Sequence, residues 1–476
     1  MGFVPAIVVG SDTPRKQKSE TSGISKKRAI NRIKQGPRQK VGDVEDLLTY
    51  LYQKDKRNKW VTDEKEISRF QHTLLEWYKK NRRQLPWRQT LMEGQPNPYH
   101  IWVSETMLQQ TRVTNVIGYY KKWLQTFPDI PSLAASSLER VNEIWAGLGY
   151  YRRAKLLHEG AQTIMSRFDG KVPEDIKVLQ SIPGIGPYTS AAIASIAFNK
   201  PYAVCDGNVF RVLSRLFSID LDISSTDNQS LFRSLAQFLM FKEMAADYNQ
   251  AMMELGATVC TPKSFDCNHC PVQRWCNSFQ IANEHQVPLS DIVCQFPVKS
   301  SRVKQNEEEL LVYLIKFANH FLMLKNISRN LLGNLWHFPY VIWKRNGNTM
   351  TEEEKIQHEC CLVGVLHSCG YPLNDTNGLP KLLHESAIPI GQVEHLFTHI
   401  KQIIHVKFVC VSSETKLVIE SSSRRIGGVG PNDDSIEYRW LTEEQMEKSA
   451  ISRQMMKVME LYQKQKKQKV IHSFFC

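Results

Sequence analysis

Apolar positions recur at helical spacing from about residue 63 to residue 282. In EISRFQHTLLEWYKKN, Ile67, Phe70, Leu74, Leu75 and Tyr78 share one stripe, and SLERVNEIWAGL and NQSLFRSLAQFLM repeat the habit. Turns rich in Gly and Pro separate short helices, and no convincing strand pair intervenes, so this stretch predicts an all-α domain. After a polar connector, 283–305, the period changes. ELLVYLIKF and HFLMLK flank Ala318 and Asn319 like the arms of a hairpin, and QIIHVKFVCVS reads as a further strand. A smaller α/β domain therefore spans 306–448, and 449–476 carries a last helix, ISRQMMKVMELYQKQ, and a tail, QKVIHSFFC. Residues 1–58 are polar and read as a disordered tail, ahead of a helical domain at 59–282. No internal repeat is visible.

Composition adds partners to this outline. The 476 residues suit two or three domains. With 61 Lys and Arg against 48 Asp and Glu, the net charge is +13, which favours a polyanionic partner, nucleic acid first. The run SKKRAINRIKQGPRQK (Ser25–Lys40) suits a nuclear import signal or an arm that touches DNA. Asp12 and Glu20 weaken a mitochondrial presequence without removing it. No apolar run reaches membrane-span length, and the start lacks the pattern of a secretory signal. Four of the 11 cysteines crowd into Cys260–Cys276, which points to a metal or cluster in a reducing compartment rather than a disulfide framework.

The chemistry begins at SIPGIGPYTS (Ser181–Ser190). Gly184 and Gly186 permit positive φ and close backbone approach, and the turn lies between helical stretches, so its amides can face a phosphate. Taken singly it also fits an ordinary helix–helix turn. AVCDGNVFRVLSRLF then places Asp206 in a Gly/Asn turn before a basic amphipathic helix. An Asx-turn is the bland alternative for that aspartate.

Over about 65–280 this order resembles the helix-hairpin-helix DNA glycosylases, whose hairpin precedes an essential aspartate. The resemblance implies that Asp206 stabilises the oxocarbenium-like sugar left by a departing base. In the strand-cleaving members, similar to endonuclease III, a lysine stands where this chain has Tyr188. A phenol cannot form an imine, so base removal by water is expected, with Tyr188 holding Asp206 and the attacking water. Simple packing is the alternative for Tyr188.

Upstream, SETMLQQT places Glu105 among Trp102, Val103, Met107 and Leu108. An apolar setting raises a carboxyl pKa, so Glu105 suits a general acid that protonates a purine at N7. A surface acid at a helix start is the alternative. LPWR, SETMLQQT, GLGYY, GPYT and DGNV, in this order, closely resemble the MutY family of adenine DNA glycosylases in its eukaryotic form. That resemblance implies a monofunctional enzyme of base-excision repair that removes adenine mispaired with 8-oxoguanine or guanine. It makes Glu105 the acid and Asp206 the carboxylate at C1′, with Tyr188 and Asn208 supporting. Gln110 and Tyr150 become wedges that offset the cost of unstacking. Packing against Trp145 is the alternative for Tyr150.

The thiols Cys260, Cys267, Cys270 and Cys276 are spaced C-x6-C-x2-C-x5-C, which leaves zinc and an iron–sulfur cubane both open. The family resemblance decides for a [4Fe–4S] cluster, holding a loop whose Lys263 and Arg274 meet phosphate. In the second domain GNLWHFPYV resembles Nudix-like folds, but no R-E-x-x-E-E pattern follows, so diphosphate hydrolysis is not expected. EHLFTHIKQ resembles the loop that reads 8-oxoguanine, with Phe397, Thr398 and His399 as its residues. Thr398 stands where serine is common. The zinc of mammalian relatives is not carried over, because the connector holds only Cys294. Cys360, Cys361, Cys369 and Cys410 suit buried thiols. Gln468, Ile471, Phe474 and Phe475 resemble the box that docks to the replication sliding clamp, proliferating cell nuclear antigen. Expected overall is an all-α helix-hairpin-helix glycosylase domain with a [4Fe–4S] loop, then a Nudix-like α/β domain. The chain would be monomeric, in the nucleus, with the mitochondrion left open. The rivals are a strand-cleaving glycosylase for damaged pyrimidines and a non-catalytic DNA-binding scaffold.

Overall fold

A computed structural model of the chain describes residues 44–89, 91–92, 95–299, 305–326, 335–349, 351, 387–397, 399–411, 424–426 and 436–468. It divides into two units, Met1–Arg83 with Ala194–Ser300 and Gln84–Ile193 with Ser301–Cys476. Among the described residues no helix is long and apolar enough to cross a membrane.

In the first unit the predicted stripe becomes the helix Glu64–Asn81, capped by Asp63, whose carboxylate accepts from the Lys65 amide at 2.9 Å. Phe70, Leu74, Leu75 and Tyr78 are buried on it, and Ile67 packs beside them. Their core is aromatic: Trp60 stacks on Phe217 at 5.5 Å, and Phe70 meets Trp275 edge-on at 5.6 Å. Glu254 is wholly buried here because Arg83 grips it bidentately, at 2.7 and 2.9 Å. The expected tail does not run to residue 58. A helix starts at Val44 and ends at Lys54, with Leu51 in the core and the buried Asn58 donating to Leu51 O at 2.8 Å. Two acids, Glu45 and Asp46, open this helix, and Lys54 to Lys59 follow, so the leucines between them lay within a polar stretch. Within 283–305, likewise, Leu289–Val293 is helical, and Ile292 and Phe296 form a small core with Ile281 and Ala282.

The second unit holds helices Pro98–Leu108, Val113–Thr126, Ile130–Ala135, Leu138–Trp145, Arg152–Phe168 and Ile176–Gln180. Trp123 packs edge-on against Trp145 at 5.4 Å and donates to the Tyr99 hydroxyl at 3.1 Å. Against the expectation of no strand pair, Leu91–Met92 pairs with Gln95–Pro96; two residues are too few to leave an alternation. Gly184 lies at φ 82°, and a Cβ there would stand 2.9 Å from the Leu156 Cβ. Only glycine lets the hairpin lie this close to the helix Arg152–Phe168.

The same unit carries the sheet. Asn306–Phe317 pairs antiparallel with His320–Asn326 around the Ala318–Asn319 turn, antiparallel with Tyr340–Arg345 and parallel with Ile400–Val411. Ile388–Leu396 lies antiparallel to Ile400–Val411, and Ile436–Thr442 to His320–Asn326. Leu310, Val312 and Leu314 alternate inward, and the helix Arg453–Lys467 covers them with Met455, Val458 and Tyr462. Gln468 caps this last helix; Ile471, Phe474 and Phe475 lie outside the described residues, as do residues 1–43.

Candidate active site

Glu105 sits in the last turns of Pro98–Leu108, a helix capped by Asn97, which accepts from the Tyr99 amide at 2.9 Å. The helix is buried nearly all round, so Glu105 is 6% exposed among Trp102, Val103 and Met107, which removes the surface reading. The Tyr188 hydroxyl donates to Glu105 Oε2 at 2.5 Å. Sequence reasoning gave Tyr188 to Asp206; this bond to the acid was not foreseen. Tyr188 is the second residue of the helix Pro187–Phe198, which starts directly beyond the hairpin. Gln109 Nε2 reaches Thr189 Oγ1 at 3.4 Å and Gln180 Nε2 reaches Ser190 Oγ at 3.0 Å. These bonds fix the start of that helix against the acid helix and the one before the hairpin. Gly186 and Pro187 are exposed at this start, as a phosphate contact requires.

Gln110 and Tyr150 stand on separate loops with the same backbone device: φ is 54° and 48°, left-handed for residues other than glycine. Both are exposed, Tyr150 at 51%. Tyr150 therefore does not fill the core around Trp145. One buried cation serves both loops. Arg153 donates to Thr106 O, Met107 O and Gln109 O at 3.0, 2.8 and 2.7 Å, and to Gly149 O at 3.0 Å. Burial draws its guanidinium down to about 10. Apart from the Thr111 hydroxyl its acceptors are carbonyls, which carry no spacing signal, so the sequence did not single it out.

Asp206 is the N-cap of the helix Gly207–Leu216. Its Oδ1 accepts from the Asn208 and Val209 amides at 2.9 and 2.8 Å, and its Oδ2 from Asn208 Nδ2 at 2.6 Å. The bland reading is thus correct as geometry and leaves the functional one standing. Burial pushes the carboxyl above the usual aspartate range, opposed by the Val209 and Asn208 hydrogen bonds and by Arg211. Arg211 in turn holds Asn208 Oδ1 at 2.7 Å and reaches Cys260 O at 2.8 Å through Nε. The loop entering this cap is fixed by the buried Asn249, which bonds Val204 N and Tyr202 O.

Cys260, Cys267, Cys270 and Cys276 line one pocket, with Arg215 beside them, 3.4 Å from Cys260 Sγ and 2.7 Å from Thr261 O. Burial pushes the thiols of Cys267 and Cys270 up to about 11 and about 12, and that of Cys276 higher still. Among the described residues no three His, Cys, Asp or Glu side chains converge on a point that would hold a single metal ion. Lys263 and Arg274, both expected on phosphate, are exposed, and Arg274 also pairs with Glu66 at 2.9 Å and lies over Trp275.

In the sheet region Phe397 is half-buried against His395, centroids 4.5 Å apart, and its carbonyl accepts from Gln305 at 2.8 Å. His399 is exposed and its carbonyl accepts from Asn306 N at 2.9 Å. Thr398, Cys360, Cys361 and Cys369 lie outside the described residues; Cys410 is partly buried and Cys294 exposed.

The family model for HhH-GPD superfamily base excision DNA repair proteins matches residues 103–237, from the acid helix to beyond Asp206. The class is therefore that of the helix-hairpin-helix base-excision glycosylases, here with a sheet-bearing C-terminal region. The Homo sapiens adenine DNA glycosylase is 35% identical over 443 residues, covering 85% of this chain and 76% of that protein. For Mus musculus the figures are 35% over 440 residues, 84% and 79%; for Arabidopsis thaliana, 34% over 399 residues, 78% and 59%. A solved thermostable thymine-DNA glycosylase is 26% identical, covering 45% of this chain and 97% of its own, with a TM-score of 0.40. The chain belongs to the adenine DNA glycosylase family.

Proposed function

We propose that this chain hydrolyses the N-glycosidic bond of adenine mispaired with 8-oxoguanine or guanine in double-stranded DNA, leaving an abasic site without cutting the strand. The observation that carries the reading is the Glu105–Tyr188 pair: a buried carboxyl steadied by a phenol, where a strand-cleaving enzyme would need an amine. Tyr188 fixes the carboxyl, which delivers its proton to N7 of the extruded base. The C1′–N9 bond then breaks with its electron pair passing to adenine. Asp206 faces the positive sugar, and its burial makes that charge interaction stronger than in water. Asn208 and Arg211 hold Asp206 oriented. Water adds to C1′, and its proton restores Glu105.

Gln110 and Tyr150 wedge the duplex while the hairpin amides, with Gly184 and Gly186, hold a phosphate. Cys260, Cys267, Cys270 and Cys276 line one pocket and would hold a [4Fe–4S] cluster through their thiolates. Such a group would supply structure and no electrons, since this hydrolysis is not a redox reaction. Arg211 and Arg215 tie the helix capped by Asp206 to that loop. The sheet region acts as a Nudix-like reader of 8-oxoguanine through Phe397, Thr398 and His399. The C-terminal box Gln468, Ile471, Phe474 and Phe475 docks to the sliding clamp, in the nucleus. A duplex with adenine opposite 8-oxoguanine tests the reading: strand breaks only after alkali are expected. Breaks without alkali would make the chain a strand-cleaving enzyme, and no breaks at all a scaffold.

A further inference from the structure

The Tyr150 loop is held from two sides, and only the inner side is explained by Arg153. Gly147, Gly149 and Tyr150 all have left-handed φ, at 94°, 79° and 48°. The glycines take this conformation freely, but Tyr150 keeps it only where its surroundings impose it. On the outer side stands Tyr151, one residue past the proposed wedge. Its hydroxyl accepts from Gly147 N at 3.3 Å and donates to Ile451 O at 3.2 Å. Burial pushes this phenol up to about 12, so it remains a donor.

Ile451 belongs to the sheet region. Its segment pairs with the buried Trp336, whose amide donates to Ala450 O at 2.9 Å, and it leads into the helix Arg453–Lys467. Arg453 acts electrostatically on Tyr119, whose hydroxyl stands where a Cβ on Gly147 would lie, 2.3 Å away. One turn on, Lys457 Nζ donates to Glu394 O at 2.7 Å, at the strand end that leads to Phe397. A second tie between the same regions joins Arg439 to Glu139 at 3.8 Å.

We propose that Tyr151 is a positioning and specificity residue, whose hydroxyl couples the Tyr150 wedge loop to the 8-oxoguanine-reading strand end through Ile451 and the last helix. This rests on the function proposed above. Occupancy at Phe397 then biases the wedge loop towards the inserted arrangement, and a plain guanine, which lacks that contact, does not. Contiguity alone is not coupling, so the test must read both ends.

Tyr151→Phe removes the hydroxyl and keeps the ring. Single-turnover adenine release should lose about fivefold of its preference for 8-oxoguanine over guanine opposite adenine, the size of one net hydrogen bond. Release opposite guanine should be unchanged. Lys457→Met, which cuts the same path at its other end, should give the same signature. Equal slowing on both duplexes, or an unchanged preference, overturns the proposal. In the free protein, amides of Glu394–Phe397 should exchange faster in Tyr151→Phe; unchanged exchange there overturns it whatever the activity. If the unaltered chain releases no adenine from either duplex, the functional reading has failed, and the exchange measurement alone decides the coupling.

Discussion

Glu105 and Asp206 are both short carboxylic acids withdrawn from water, yet their surroundings differ in kind. Glu105 lies on an apolar helix among indole and thioether side chains, with a phenol on one oxygen. Asp206 faces two backbone amides, a side-chain amide and, beyond it, a guanidinium. A setting of apolar side chains suits a group that must gain and lose a proton. A setting of preorganised donors suits one that must stay an anion while a cation forms nearby. Environment, rather than residue type, divides the labour.

The strongest way to break this contrast is to make each acid neutral and isosteric. Asp206→Asn should lower single-turnover base release by about 10³-fold or more, and Glu105→Gln by about 10²–10⁴-fold, while both still bind the mispair. Loss of binding together with release, in a gel-shift titration, would assign them to DNA contact. Tyr188→Phe is milder, because the ring still packs. About tenfold should be lost from kcat with little change in KM, as for one hydrogen bond to a charged group. A change confined to KM would count against the pairing.

The smallest effects sharpen the Asp206 side. Its folded pKa is raised above 3.8, so the native state holds this proton more tightly than the unfolded chain. Stability from this group is therefore full at low pH and is lost as pH rises through the raised value. At neutral pH Asp206→Asn should keep the Oδ1 cap and melt no lower than the unaltered protein. Asp206→Ala should cost about 1 kcal/mol for the lost cap. Calorimetry at pH 7 checks both, and a marked fall in Tm for the Asn variant would deny that burial strains the carboxylate.

Much of this was legible before any fold was seen. The 3.6-residue stripe gave Phe70, Leu74 and Tyr78 their side of a helix, and alternation placed the Ala318–Asn319 hairpin. Short motifs marked Glu105 and Asp206, because the turn residues around them are informative. The pairing of Glu105 with Tyr188 was not legible: 83 residues separate them, and nothing local records it. Nor were Arg153, Arg211 and Arg215, which look like ordinary helix cations until their carbonyl partners are seen. The helix Val44–Lys54 hid behind its charges.

The most direct test of the division of labour changes the base rather than the protein. Opposite 8-oxoguanine, 7-deazaadenine keeps the shape of adenine but has no N7 to protonate. If Glu105 acts by loading a proton there, the unaltered enzyme should bind this duplex as tightly as the adenine one and release no base over many turnover times. Release at a rate near that of adenine would contradict the assignment of Glu105 as the acid.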